Sequence, residues 1–91
     1  MSVTVRVPPP WRNLLGDRRE VDLEGATVRE VLGNLIAAYP ELKDRVYDGD
    51  GRLNSAVAVF VNQDSIGRLS GLDTPVADGD RIVILMAIAG G

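Results

Sequence analysis

Ninety-one residues, 45% of them hydrophobic and 25% charged, are the size and composition of one ordinary globular domain, 1–91. Ten Lys plus Arg against thirteen Asp plus Glu leave a net charge of -3, the wrong sign for holding nucleic acid by its phosphates. Cys and His are both absent, which excludes disulfides, thiolate zinc sites and cysteine nucleophiles and removes the commonest general base. An interaction or carrier role is therefore expected ahead of a self-contained enzyme. No apolar run reaches the roughly 18 residues of a membrane helix, and the start MSVTVRV lacks the apolar core of a signal peptide, so the expected compartment is the cytoplasm, away from membranes.

In chain order, Val3, Val5 and Val7 alternate with polar residues, the period-2 pattern of a strand with one buried face, and Pro8 to Pro10 end it by removing three amide donors. Trp11, Leu14 and Leu15 read as a short apolar connector and Gly16-Asp17 as a turn. Val21 and Leu23, between Glu20, Asp22 and Glu24, form a second strand and complete a long-looped hairpin. Thr27-Val28-Arg29-Glu30 fits a capping box that starts a helix at Val28. Val28, Val31, Leu32, Leu35, Ile36 and Tyr39 then line one helical face until Pro40 stops it. Pro40 to Val46 is expected to add another turn or two, anchored by Leu42 and Val46.

Asp48-Gly49-Asp50-Gly51 invites comparison with a calcium loop, but Arg52 and Leu53 occupy the positions where that motif needs its third ligand and its glycine, so a plain polar turn is expected and no metal site. Ala56 to Val61 is continuously apolar, as in an interior strand covered on both faces or facing a partner on one. Asn62-Gln63-Asp64 reads as a turn and Ile66 to Val76 as irregular. Ala77 to Asp80 is a tight turn into a last strand from Arg81 to about Leu85. The expected order is β-β-α-(α)-β-loop-β.

Beyond that strand come Met86, Ala87, Ile88, Ala89, Gly90 and Gly91, small or apolar residues running to a terminal carboxylate. Gly makes up about 7% of average composition, so two terminal glycines arise by chance in roughly 0.5% of chains, and their place after the last strand carries more weight than their presence. An α+β domain of this order, a mixed sheet packed on one main helix with a protruding Gly-Gly tail, is the arrangement of ubiquitin-like β-grasp proteins.

Over nearly its whole length the sequence resembles the MoaD/ThiS family of sulfur carriers, which includes the molybdopterin synthase small subunit, the thiamine sulfur carrier and the carrier of thiocarboxylate-dependent cysteine synthesis. The resemblance rests on Val57-Ala58-Val59-Phe60-Val61-Asn62, on Val76-Ala77-Asp78-Gly79-Asp80 leading into Arg81-Ile82-Val83-Ile84-Leu85, and on the end Ala87-Ile88-Ala89-Gly90-Gly91. Met86 stands where many members carry Pro. The ending looks closest to the cysteine-type members.

The resemblance implies that the Gly91 carboxylate is adenylated by an ATP-dependent adenylyltransferase resembling ubiquitin-activating enzymes, converted to a thiocarboxylate by a sulfur donor, and used by a sulfur-acceptor biosynthetic enzyme. ATP would be spent by the partner, because the chain has no phosphate-cradling glycine loop and no cofactor of its own is expected. Lacking Cys, the chain has no thiol to hold a persulfide or to intercept the activated carbonyl. Gly90 and Gly91, with no Cβ, and the small Ala87 and Ala89 would make residues 87–91 a thin, mobile thread able to enter a partner's channel. Two other readings keep the fold: a modifier joined to lysines of other proteins through Gly91, and a non-catalytic interaction module.

A carrier also needs a docking face. If Arg81 faces solvent, Val83 and Leu85 share its side while Ile82 and Ile84 point at the helix, and Phe60 faces outward opposite them. Phe60, Val83 and Leu85 beside the tail, with Arg81 and Met86, are the expected partner-binding residues, unless the Ile66 to Val76 loop covers them. The free protein is expected to be a monomer.

Overall fold

The computed structural model describes residues 2–86. Strand β1 (Ser2–Arg6) buries Val3 and Val5 and pairs antiparallel with β2 (Glu20–Glu24), Val3 facing Leu23 and Val5 facing Val21. The hairpin is as expected, but its loop is more than a connector. Pro9–Leu15 forms a 3-10 helix that buries Trp11 and Leu15 completely, with the proline-fixed φ of its first residues preset for the turn. It stops at Gly16 and Asp17, both left-handed at φ 65 and φ 66, where the Asp17 amide donates to the Arg12 carbonyl at 2.7 Å. Alternation cannot reveal such an element, because its buried residues follow the irregular spacing of a short 3-10 turn.

Helix α1 (Val28–Ala38) begins as its capping pattern requires. The Thr27 hydroxyl accepts from the Glu30 amide at 3.2 Å, and the Glu30 carboxylate reaches back to the Ala26 amide at 3.1 Å, one residue beyond the cap itself. Val28, Val31, Leu32 and Leu35 are buried, while Ile36 and Tyr39 close the stripe half-buried. Pro40–Leu42 adds a 3-10 turn that leads into α2 (Lys43–Val46), and Leu42 and Val46 anchor it in the core. In the following polar turn the Asp48 carboxylate accepts from the amides of Asp50 and Arg52, at 2.8 and 3.0 Å.

Three more strands follow: β3 (Val57–Val61), β4 (Asp64–Ser65) and β5 (Arg81–Met86). The sheet order is β2-β1-β5-β3-β4, with β5 parallel to β1 and antiparallel to β3. Strand β4 corrects the reading of Asp64 as part of a turn. Asn62, left-handed at φ 57, and Gln63 make the whole turn, so Asp64 already pairs with Val61. Two residues are too short to show any periodicity.

The segment from Ile66 to Val76 is likewise more ordered than expected, with 3-10 turns at Ile66–Arg68 and Gly71–Asp73. Its end is stitched to the start of α1: the Val28 amide donates to the Thr74 carbonyl and the Val76 amide to the Ala26 carbonyl, each at 3.0 Å. Buried Thr74 satisfies its own hydroxyl locally by donating to the Gly71 carbonyl at 2.7 Å. The core lies between α1 and the inner sheet face of Val3, Val5, Val59, Val61, Ile82 and Ile84. Among the described residues no helix is long and apolar enough to cross a membrane.

Two glycines make opposite demands. A Cβ on Gly25, at φ +153, would stand 2.7 Å from Val31 Cγ2 and 2.9 Å from the Val31 amide nitrogen, whereas one on exposed Gly33 in α1 meets nothing within 4 Å. Gly25→Ala is therefore expected to lower unfolding free energy by about 1–3 kcal/mol through overpacking at the helix start. Gly33→Ala is expected to raise it by about 0.5–1 kcal/mol. Urea titrations of both variants check the pair.

Burial raises the pKa of Tyr47, which bridges to Leu53 after α2, and the Arg29 guanidinium opposes that shift only in part. Folding thus favours the protonated phenol, so this contribution is complete below the ordinary tyrosine pKa of about 10 and disappears as pH rises through the higher folded value. Thermal melts at increasing alkaline pH should show a steeper loss of stability for the native chain than for Tyr47→Phe.

Candidate docking face and carrier tail

Strand β5 lies at the centre of the sheet, and the unequal lengths of its neighbours decide what it exposes. Its pairing with β1 runs from Arg81 beside Thr4 to Val83 beside Arg6, while its pairing with β3 continues to Met86 opposite Val57. Ile84, Leu85 and Met86 therefore extend past the end of β1 with a strand on one side only. Ile82 and Ile84 point inward and are fully buried, as the alternation predicted.

On the outward face Val83 sits between Arg6 and Phe60, and both Val83 and Phe60 are half-buried by that flanking. Leu85, opposite Ala58 and beyond the end of β1, is 48% exposed, and Met86 at the rim is 37% exposed. The structure thus brings Phe60, Val83 and Leu85 together as an apolar strip toward the C-terminal end of β5. The Ile66 to Val76 loop does not cover Leu85. Met86 belongs to the strand and points toward the inner side by parity, so its exposure reflects its place at the rim and not on the outward strip.

Arg81 is separated from this strip. It crosses β1 to pair with Glu20 on β2, and both side chains are more than a third exposed, so the pair fixes direction more than it stabilises. Beside it Thr4 donates to Asp22 at 2.9 Å. The outward face is consequently divided: a polar half on β2 and β1, carrying Glu20, Asp22, Glu24 and Arg6, and an apolar half on β5 and β3.

The Ile66–Val76 segment packs along the flank of β3 that β4 leaves open, around a groove of about 420 Å³ whose lining includes Leu53, Val57, Ala58, Ile66 and Leu72. Alternation along one strand could not have revealed this groove, because three separate segments build it. From this glycine-punctuated stretch only Ile66 and Leu72 among its large apolar residues line the groove. Ala87, Ile88, Ala89, Gly90 and Gly91, and with them the expectation of a mobile thread, lie outside the described residues. What the fold supplies is the residue before them, Met86 at the end of β5 on the rim of the sheet.

The family model described as "ThiS family" matches residues 5–91. Along the whole of both chains, the sequence is 37% identical over 93 residues to "Sulfur carrier protein CysO" of Mycobacterium tuberculosis. It is 35% identical over 72 residues, 78% of each chain, to "Small archaeal modifier protein 1" of Haloferax volcanii. Among solved structures, the Amycolatopsis orientalis BexX/CysO complex contains a chain that superposes with a TM-score of 0.88 at 34% identity, covering 98% of this chain and 99% of that one. The solution structure of small archaeal modifier protein 1 from Methanosarcina acetivorans gives 0.89 at 32% identity, covering 99% and 96%. A mixed five-stranded sheet on one long helix, with a family match extending through the final glycines, places the fold among ubiquitin-like β-grasp proteins, and the chain belongs to the ThiS family.

Proposed function

We propose that this chain is a sulfur carrier protein, a co-substrate of partner enzymes and not a catalyst itself. The observation that carries this reading is the end-to-end likeness to a sulfur carrier at 37% identity, in a chain whose last strand opens onto Ala-Ile-Ala-Gly-Gly. A carboxylate resists attack because its charge is delocalised and it has no good leaving group. In this reading a partner adenylyltransferase uses ATP to convert the Gly91 carboxylate to an acyl adenylate. A sulfur donor then attacks the carbonyl carbon, AMP departs with the bonding electrons, and a terminal thiocarboxylate remains for an acceptor enzyme of sulfur biosynthesis, with cysteine synthesis favoured by the CysO likeness.

The division of the outward face supports a division of labour. Phe60, Val83 and Leu85 offer the partner an apolar strip, while Gly90 and Gly91 enter its active site as the part that reacts. The chain itself contributes no base, metal or nucleotide loop to the chemistry; its contribution is a narrow, chemically quiet carrier. A second reading, in which Gly91 is joined to lysines of other proteins, is favoured by the likeness to small archaeal modifier protein 1 and shares the same activation step.

Intact-protein mass spectrometry with the adenylyltransferase, ATP and a sulfur donor tests the reading directly: one oxygen at the C-terminus should be replaced by sulfur, and persistent absence of that exchange would overturn it. Gly91→Ala, which adds a methyl beside the reacting carbonyl, should impair adenylation or transfer severely while changing stability by no more than about 0.5 kcal/mol. Leu85→Asp or Phe60→Asp should instead weaken partner binding, by more than about 1 kcal/mol for a central anchor, as read by titration calorimetry. Loss of folding in Gly91→Ala, or unaltered affinity in both strip variants, would contradict the division of labour.

A further inference from the structure

Charge is distributed unevenly along this chain. Residues 6–19 carry Arg6, Arg12, Arg18 and Arg19 against one acid, Asp17, a net charge of +3, whereas the whole chain carries -3. The fold gathers these four arginines into a single loop at one end of the sheet. Arg6 closes β1, and the Val7 amide after it donates to the Arg19 carbonyl at 3.0 Å, just before β2 begins. Within the loop the Arg18 amide donates to the Leu15 carbonyl at 3.3 Å and the Asp17 amide to the Arg12 carbonyl at 2.7 Å. Buried Trp11 and Leu15 fix the loop to the core and Pro8, Pro9 and Pro10 stiffen its start, so the cations stand on a preorganised backbone.

None of the four has an ionic partner among the described residues. Glu20, directly across from Arg6, has its carboxylate on Arg81, and Asp22 accepts from Thr4. The two buried side-chain polar atoms that lack a hydrogen-bond partner among the described residues are Trp11 Nε1 and Arg12 Nε, neighbours in this loop. Arg12 is thus a half-buried cation whose Nε edge is shut off from water with no carboxylate to compensate. Such partial desolvation is costly in the free protein, and a carboxylate arriving at the Nη end recovers that cost on binding. Preplaced arginines of this kind carry much of the affinity at protein interfaces.

We propose that the arginine loop of residues 6–19 is a charged docking surface matched to an acidic patch on the adenylyltransferase, with Arg12 as its anchor. The inference rests on the reading in which that enzyme covers the strip of Phe60, Val83 and Leu85, because Arg6 lies directly beside Val83. An acidic protein surface suits the arrangement better than a nucleic acid, since the rest of the chain is negative and repels a polyphosphate backbone. Exposed Arg6, Arg18 and Arg19 act at long range and speed the encounter, while Arg12 holds the complex once it has formed.

The test measures association and dissociation rates of the full-length chain with its adenylyltransferase by surface plasmon resonance, in sodium chloride raised to about 1 M, where the screening length falls to about 3 Å. The association rate of the native chain should fall steeply with salt. Arg18→Gln combined with Arg19→Gln should lower that rate several-fold at low salt and flatten its salt dependence. Arg12→Gln should instead raise the dissociation rate, by about tenfold for a central anchor, and Arg12→Lys should restore it only in part because an ammonium lacks the bidentate fork. Thermal melts accompany each variant, and where Arg12→Gln melts early the exposed pair, Arg18 and Arg19, decides the outcome. Rates indifferent to salt and to both substitutions, in a protein that still binds and gains a thiocarboxylate, would overturn the proposal alone. Saturable binding of pyrophosphate to the free chain, lost in Arg12→Gln, would assign the loop to a phosphate ligand and overturn it as well. A native chain that neither binds the enzyme nor gains sulfur would overturn the carrier reading together with it.

Discussion

The parallel pairing of β5 with β1, Val5 beside Ile82, is the constraint from which the rest of the molecule follows. Parallel neighbours cannot be joined by a tight turn, so the chain between them must include a crossover over one face of the sheet. That crossover is where α1 lies, and its apolar stripe meets the inward row of β1, β5 and β3. The same pairing puts the last strand at the centre, held on both sides through Val83 and on one side beyond it. A strand so placed is held by its pairing within residues 81–86, which suits the carrier role proposed for the residues that follow.

Satisfaction of the helix start is the second requirement of this crossover. The first amides of α1 have no partners within the helix, and the sequence meets them by two routes. The Thr27 hydroxyl accepts from the Glu30 amide, and the Thr74 carbonyl, from a segment more than forty residues further along the chain, accepts from the Val28 amide. This second route ties the Ile66–Val76 segment down and draws it against β3. Gly25 permits the close approach at the turn into the helix, because any side chain there would collide with Val31.

The chemistry follows from what the chain omits as much as from what it displays. Without Cys or His, and with arginine in nearly every cationic position, its surface is poor in groups able to attack an activated carbonyl. Charge is kept to one half of the outward sheet face, where Arg81 is tied to Glu20, so that the half leading to the tail stays apolar. In the proposed docking, desolvating Leu85 and Phe60 costs little compared with burying an unpaired charge.

The sequence by itself determined the elements whose periodicity spans several residues. Val3 and Val5, the stripe from Val28 to Leu35, and the alternation of Ile82 and Ile84 with Val83 and Leu85 each announce which face is buried, because burial imposes the period of the backbone on the side chains. The Thr27-to-Glu30 cap and the Gly-Gly ending were readable for the same local reason. Only the tertiary structure decided the others. The 3-10 helix around Trp11 and the two-residue β4 are too short to carry a period, and the groove beside Ile66 is assembled from distant segments. The exposure of Leu85 was settled by a length mismatch: β1 ends at Arg6, β5 continues to Met86, and no pattern within either strand records where its neighbour stops.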